Sequence, residues 1–205
     1  VIGLYFLITP IFNVVYPRFS ALVVSNDTEK LTDLYLLGTR LLTTVLFPIT
    51  MVLVIFAEDL VHVWTGNPDI AISVAPVIAL MAMGSALHCV MHFPYALQLA
   101  YGMTRLPLTI NAILMVVLIP LIIFFALSYG ALGGALAWLV LHVLYVMLGT
   151  WLTHRSLLKG MGRKWLFQSV GIPLVLSLSV GLVGYYMMHE GGYSVYVKLI
   201  CGGAF

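Results

Sequence analysis

The stretch His154-Arg155-Ser156-Leu157-Leu158-Lys159-Gly160-Met161-Gly162-Arg163-Lys164 holds four of the chain's nine Lys and Arg residues. Residues 106 to 154 contain no Asp, Glu, Lys or Arg, and neither do residues 165 to 189. A basic island between two long uncharged apolar runs reads as a short cytoplasmic loop joining two membrane-spanning helices, because Lys and Arg beside spans are retained on the cytoplasmic side. With that loop inside, alternation assigns a side to every other loop.

The composition points the same way. The chain is 62% hydrophobic and 8% charged, with mean hydropathy +1.12. Soluble domains are about 45–50% apolar and about 25% charged, so lipid is the solvent that fits this chain. A net charge of +2 gives no basis for a nucleic-acid partner. The placement of the charges is more informative than their sum. Cys89 and Cys201 both lie in apolar runs and read as small buried side chains rather than as a disulfide or metal site. No cleavable signal peptide is visible. The chain opens at Val1 and ends at Phe205, each inside an apolar run, and is expected to be an internal fragment of a longer protein.

A spanning helix needs about 20 apolar residues. On that measure the expected spans are 1–22, 35–57, 72–93, 107–128, 131–153 and 165–188, with a truncated seventh at 193–205. Pro10, Pro17, Pro48, Pro120 and Pro173 fall inside them and are tolerated as kinks. Residues 25–34 form a polar connection in which Asn26 or Asp27 could cap the next helix. Gly66-Asn67-Pro68 marks a turn, and Trp64 suits the interface. Pro94 is expected to kink the third span into an interfacial continuation ending near Gly102. The uncharged run from 106 to 154 divides at Ser128-Tyr129-Gly130 into a helical hairpin.

This division passes a charge test. The inside loops and helix starts then hold Arg18, Lys30, Arg40, Arg105, Arg155, Lys159, Arg163 and Lys164, and the outside only Lys198. Losing or adding one span would put Arg105 and the basic loop on opposite sides. The fold expected is all-α: one polytopic transmembrane helical bundle over residues 1–205.

Gly130, Gly133 and Gly134 open a helix, and the Gly130/Gly134 spacing is a small-xxx-small pair suited to close helix packing. His88 and His92 lie four apart on one helical face. No third metal ligand lies near them in sequence, so a metal is not expected. Helix–helix hydrogen bonds and exposure to a water-filled lumen both fit, since polar groups at this depth face the bundle interior. His142 reads the same way, and Gln98 lies near the inner end of the same element. Asn111 sits one turn into its helix behind Arg105. Arg18 and Arg40 flank one inside loop and suit either snorkelling anchors or ligands for an anion. No carboxylate lies well inside any span, so there is no catalytic triad, and no phosphate-binding Gly-rich loop is present. No catalytic residue and no cofactor are expected.

Tyr16-Pro17-Arg18-Phe19-Ser20, Asn26-Asp27-Thr28-Glu29-Lys30-Leu31, Arg40, Pro48 and Leu60-Val61-His62-Val63-Trp64-Thr65-Gly66 follow one another in a recurrent order. Together with Tyr129-Gly130-Ala131-Leu132-Gly133-Gly134-Ala135, this resembles the lipid-linked oligosaccharide flippases of O-antigen and exopolysaccharide assembly. Their superfamily also holds multidrug-and-toxin extruders and lipid II flippases. The resemblance implies the second lobe of a two-lobe, fourteen-helix transporter in the bacterial inner membrane. The implied activity is export of a polyprenyl-diphosphate-linked oligosaccharide for lipopolysaccharide and polysaccharide biosynthesis, beside the polysaccharide polymerase machinery. A cation-coupled drug extruder and, more remotely, a polytopic glycosyltransferase or acyltransferase are the alternatives. The substrate-path candidates are Arg18, Arg40, Arg105, His88, His92, Gln98 and Asn111.

Overall fold

The computed structural model describes residues 3–190, and the expected seventh span at 193–205 lies outside them. The described residues form helices throughout, with no strand among them. In order these are α1 (Gly3–Val24), α2 (Thr28–Ile55), α3 (Ala57–Thr65), α4 (Pro68–Val90), α5 (His92–Ala100), α6 (Arg105–Ser156) and α7 (Met161–Lys164). A π-helical segment, Trp165–Gly171, then leads into α8 (Ile172–Glu190).

Among the described residues, five helical stretches are long and apolar enough to cross a membrane. The longest, α6, has 52 residues, about 78 Å if straight, against a hydrocarbon core of about 30 Å. It is two arms meeting at Gly130, whose φ of 58° and ψ of −132° are not helical. Only glycine adopts that conformation freely. Beyond it the chain folds back, so that a Cβ at Gly133 would collide with the carbonyl of Phe125. In a continuous helix those residues would stand about 12 Å apart. Residues 105–129 and 131–156 are therefore separate arms of a hairpin, and six segments have spanning length.

The direction of α8 agrees with that count. Trp165 and Ser169 meet Thr39 and Thr43 of α2, and Gly181 meets Met51 and Ile55 further along. Both helices thus run the same way, as second and sixth passes must. A single pass through α6 would make them antiparallel.

Two boundaries differ from the sequence reading. Residues 28–34, read as part of the polar connection, are the first two turns of α2. Asp27 caps them by accepting from the Lys30 backbone N–H at 3.1 Å, so the polar residues are solvated helix rather than loop. The break after the third span falls at Met91, before Pro94, because a proline ring displaces the carbonyl four residues earlier, here Val90. The continuation is α5. It packs into the bundle beside α1, with Phe93, Pro94, Ala96, Leu97 and Gln98 buried.

The core gathers Ile8, Phe19, Tyr35, Leu46, Phe47, Cys89, Phe93, Leu97 and Trp165 from five of these elements. Phe124 and Leu127, on the first arm of α6, stay exposed, as a lipid-facing surface requires.

Candidate functional site

The contact between α2 and the π-helical entry to α8 is built on a polar ladder. Tyr35, Thr39 and Thr43 are spaced four apart and share one face of α2. His154 Nδ1 lies 2.8 Å from the Thr150 carbonyl and must carry the hydrogen, so its Nε2 accepts from the Tyr35 hydroxyl at 3.1 Å. Trp165 Nε1 donates to Thr39 Oγ1 at 3.0 Å. Thr43 Oγ1 donates to the Ser169 carbonyl at 2.6 Å. Four residues on from Ser169 stands Pro173, which has no N–H to offer that carbonyl. π-Helical turns of this kind concentrate at functional positions.

Beside the ladder α2 and α8 leave a groove of about 600 Å³. Arg40, Thr44 and Gln168 line it where both helices begin to run together, and Pro48, Met51, Val52, Ile55, Leu176 and Val180 line the remainder with Ser177, whose hydroxyl is turned onto the Pro173 carbonyl at 2.7 Å. One end therefore presents a guanidinium, a hydroxyl and an amide, and the rest presents hydrocarbon. Arg40 stands about 20 Å along α2 from its Asp27 cap.

The other candidates are dispersed. Arg18, Arg105 and Asn111 are exposed and do not line the groove. Gln98 is buried and donates to Thr153 Oγ1 at 2.7 Å, which fastens α5 to α6 rather than facing a lumen. His88, His92 and His142 come together in a separate cluster, with ring centroids 4.9 to 5.2 Å from His88. No group of His, Cys, Asp and Glu able to hold a metal occurs among the described residues.

The glycines also divide differently. Gly130 is the hairpin turn itself, and a Cβ on Gly134 would meet nothing within 4 Å, so the Gly130/Gly134 pair forms no packing face among the described residues. Gly133 packs instead against Phe125, and Gly84 makes room for Trp138. The reason is geometric: the turn at Gly130 ends the helical register on which the pair depends.

The ladder went unread in the sequence. Its signal was the Tyr35, Thr39, Thr43 spacing within an apolar span. Its partners Trp165 and Ser169 are also four apart, but they lie well over a hundred residues downstream, so only the tertiary fold pairs the two sets.

A search of the curated proteins and a search of the solved structures each found no match. The lipid II flippase MurJ family matches residues 3–202. MurJ flippases are transporters rather than enzymes, and the several apolar helices agree with a multi-pass protein of the bacterial inner membrane. On a match spanning nearly all of its length, the chain belongs to the lipid II flippase MurJ family, whose members carry a lipid-linked precursor across the membrane.

Proposed function

We propose that this chain supplies part of the path by which lipid II, the lipid-linked peptidoglycan precursor, crosses the inner membrane. The observation that carries this reading is the α2–α8 groove, with Arg40, Thr44 and Gln168 at one end and hydrocarbon along the rest. A guanidinium binds phosphate oxygens through paired hydrogen bonds. The polar end thus matches a diphosphate and the apolar length matches a polyprenyl chain. In the orientation that the basic loop requires, the polar end lies toward the cytoplasm, where the precursor enters. Arg18 and Arg105, away from the groove, serve as interfacial anchors.

An O-antigen-type oligosaccharide carried on the same diphosphate would satisfy Arg40 equally well. The family match favours lipid II. The test is flipping by the intact transporter in liposomes, with lipid II and with a polyprenyl-diphosphate-linked O-antigen unit offered separately. Lipid II is expected to be flipped and the O-antigen unit not. Arg40→Gln should lower flipping about tenfold or more, the loss expected when a charged hydrogen bond worth about 1.5–3 kcal/mol is removed. Arg40→Lys should recover part of the rate, and Arg18→Lys and Arg105→Lys should match the parent. Full-rate flipping by Arg40→Gln removes the groove from the path, and transport of the O-antigen unit alone overturns the substrate.

A further inference from the structure

Three imidazoles meet beside α1. His88 lies in the last turn of α4, His92 opens α5, and His142 comes from the second arm of α6. The His88 ring is 5.2 Å from His92 and 4.9 Å from His142, centre to centre. The Tyr5 hydroxyl of α1 stands 2.8 Å from His88 Nδ1. The Trp138 ring lies 4.3 Å from the ring of His142.

The hydrogen bonds place the hydrogens. His92 Nδ1 is 3.2 Å from the carbonyls of both His88 and Cys89, and His142 Nδ1 is 2.8 Å from the carbonyl of Trp138. A carbonyl can only accept, so both Nδ1 atoms carry hydrogen and both neutral rings keep their lone pair on Nε2. His88 spends Nδ1 on Tyr5. Three neutral rings therefore hold three hydrogens, two of them committed to carbonyls, and three lone pairs. Carbonyl oxygens hold the two Nδ1–H groups, which offsets part of the cost of charging a ring away from water. The other titratable groups of the helices packed here are Tyr5 and Tyr16 from α1, Cys89 from α4, Tyr95 from α5, and Tyr129, Tyr145 and His154 from α6, His154 being held in the ladder against Tyr35. The charged residues Arg18, Asp69, Arg105 and Arg155 lie toward the ends of α1, α4 and α6.

We propose that His88, His92 and His142 form a proton-binding site in which one added proton is shared among the three rings. The site straddles the break at Met91 and draws on α1, α4, α5 and α6. Proton uptake there bears on how α1 and α6 pack against the break. His88 and His92 are only half-buried, which leaves the proton a way in. The site is distinct from the α2–α8 groove, so its test is independent of the substrate.

Trp138 provides the readout, because an imidazolium quenches an adjacent indole far more than a neutral imidazole does. The intact transporter in nanodiscs is titrated from about pH 8 to about pH 4, either side of the ordinary imidazole range. The emission of the Trp138→Phe protein is subtracted, which removes the other tryptophans. The expected result is one reversible loss of Trp138 emission as pH falls, absent in His142→Gln and displaced in midpoint in His88→Gln. A flat trace, a step that survives His142→Gln, or an unmoved midpoint in His88→Gln overturns the proposal. Should His142→Gln fail to fold, ring-nitrogen NMR of the histidine-labelled parent decides. A doubly protonated ring in this cluster supports the site, and three neutral rings throughout the range overturn it.

Discussion

The Thr43 hydroxyl of α2 donates to the Ser169 backbone carbonyl at 2.6 Å, and the Ser169 hydroxyl donates back to the Leu36 carbonyl at 3.1 Å. The two helices exchange side-chain bonds for backbone ones at a point where Pro173 has removed a regular donor. Interhelical hydrogen bonds of this kind contribute about 1 kcal/mol in a membrane. Thr43→Val keeps the shape and loses the donor, so it should lower the thermal unfolding midpoint in detergent. Thr44→Val is the contrast, because Thr44 bonds only the Arg40 carbonyl of its own helix. Equal midpoints for the two variants would mean that the cross-helix bond adds no stability.

Gly133 and Gly134 stand side by side and should behave oppositely. An alanine Cβ at Gly133 strikes the Phe125 carbonyl, which is backbone and cannot rotate away, whereas one at Gly134 meets open space. Gly133→Ala is expected to cost about 2 kcal/mol or more, in the range of overpacked cores. Gly134→Ala should be neutral or slightly stabilising, since alanine is the better helix former. Chemical unfolding of the two variants in mixed micelles measures the difference.

The sidedness drawn from the basic island is open to labelling. In a background with Cys89→Ala and Cys201→Ala, a membrane-impermeant maleimide added outside should modify Asp69→Cys and spare Lys159→Cys. Both positions are exposed in the fold. The opposite pattern would invert the orientation and place the Arg40 end of the groove outside.

The α2 cap has a pH dependence of known sign. Lys30 donates to Asp27 from its ammonium at 2.6 Å and from its backbone N–H, which holds the carboxyl below the usual range. A carboxyl depressed in the folded state adds stability above its unfolded pKa and loses it as pH falls through the folded one. Exchange of the Lys30 and Leu31 amides, corrected for intrinsic rates, should therefore quicken as the pH drops through the acid range. In Asp27→Asn that acceleration should vanish.

What the sequence displays well is what lipid forbids. Charge is excluded from the hydrocarbon, so the runs 106–154 and 165–189 declare their spans, and Gly130 declares the turn between two of them. Boundaries are less visible where a helix extends into water: residues 28–34 are polar for solvation, and helix and loop share that property. A proline acts on a carbonyl one turn earlier, which moved the break from Pro94 to Met91. Arg40 could be picked out as a cation on an apolar helix, but the groove needs α8, well over a hundred residues away. His88 and His92 were visible as a pair because they share a helix face. Their third member, His142, joins them only through tertiary packing.

The uncharged hairpin bears on how the protein enters the bilayer. Between Arg105 and Arg155 nothing ionised has to be carried through hydrocarbon, and the tip at Gly130 offers only Ser128 and Tyr129 as polar freight. The Ser128 hydroxyl is already bonded to the Phe124 carbonyl. Both arms can therefore be threaded together as a closed loop, with no charged tip to dehydrate on the way. A single charged substitution at the tip would tax this insertion step itself, leaving every contact of the finished bundle unchanged.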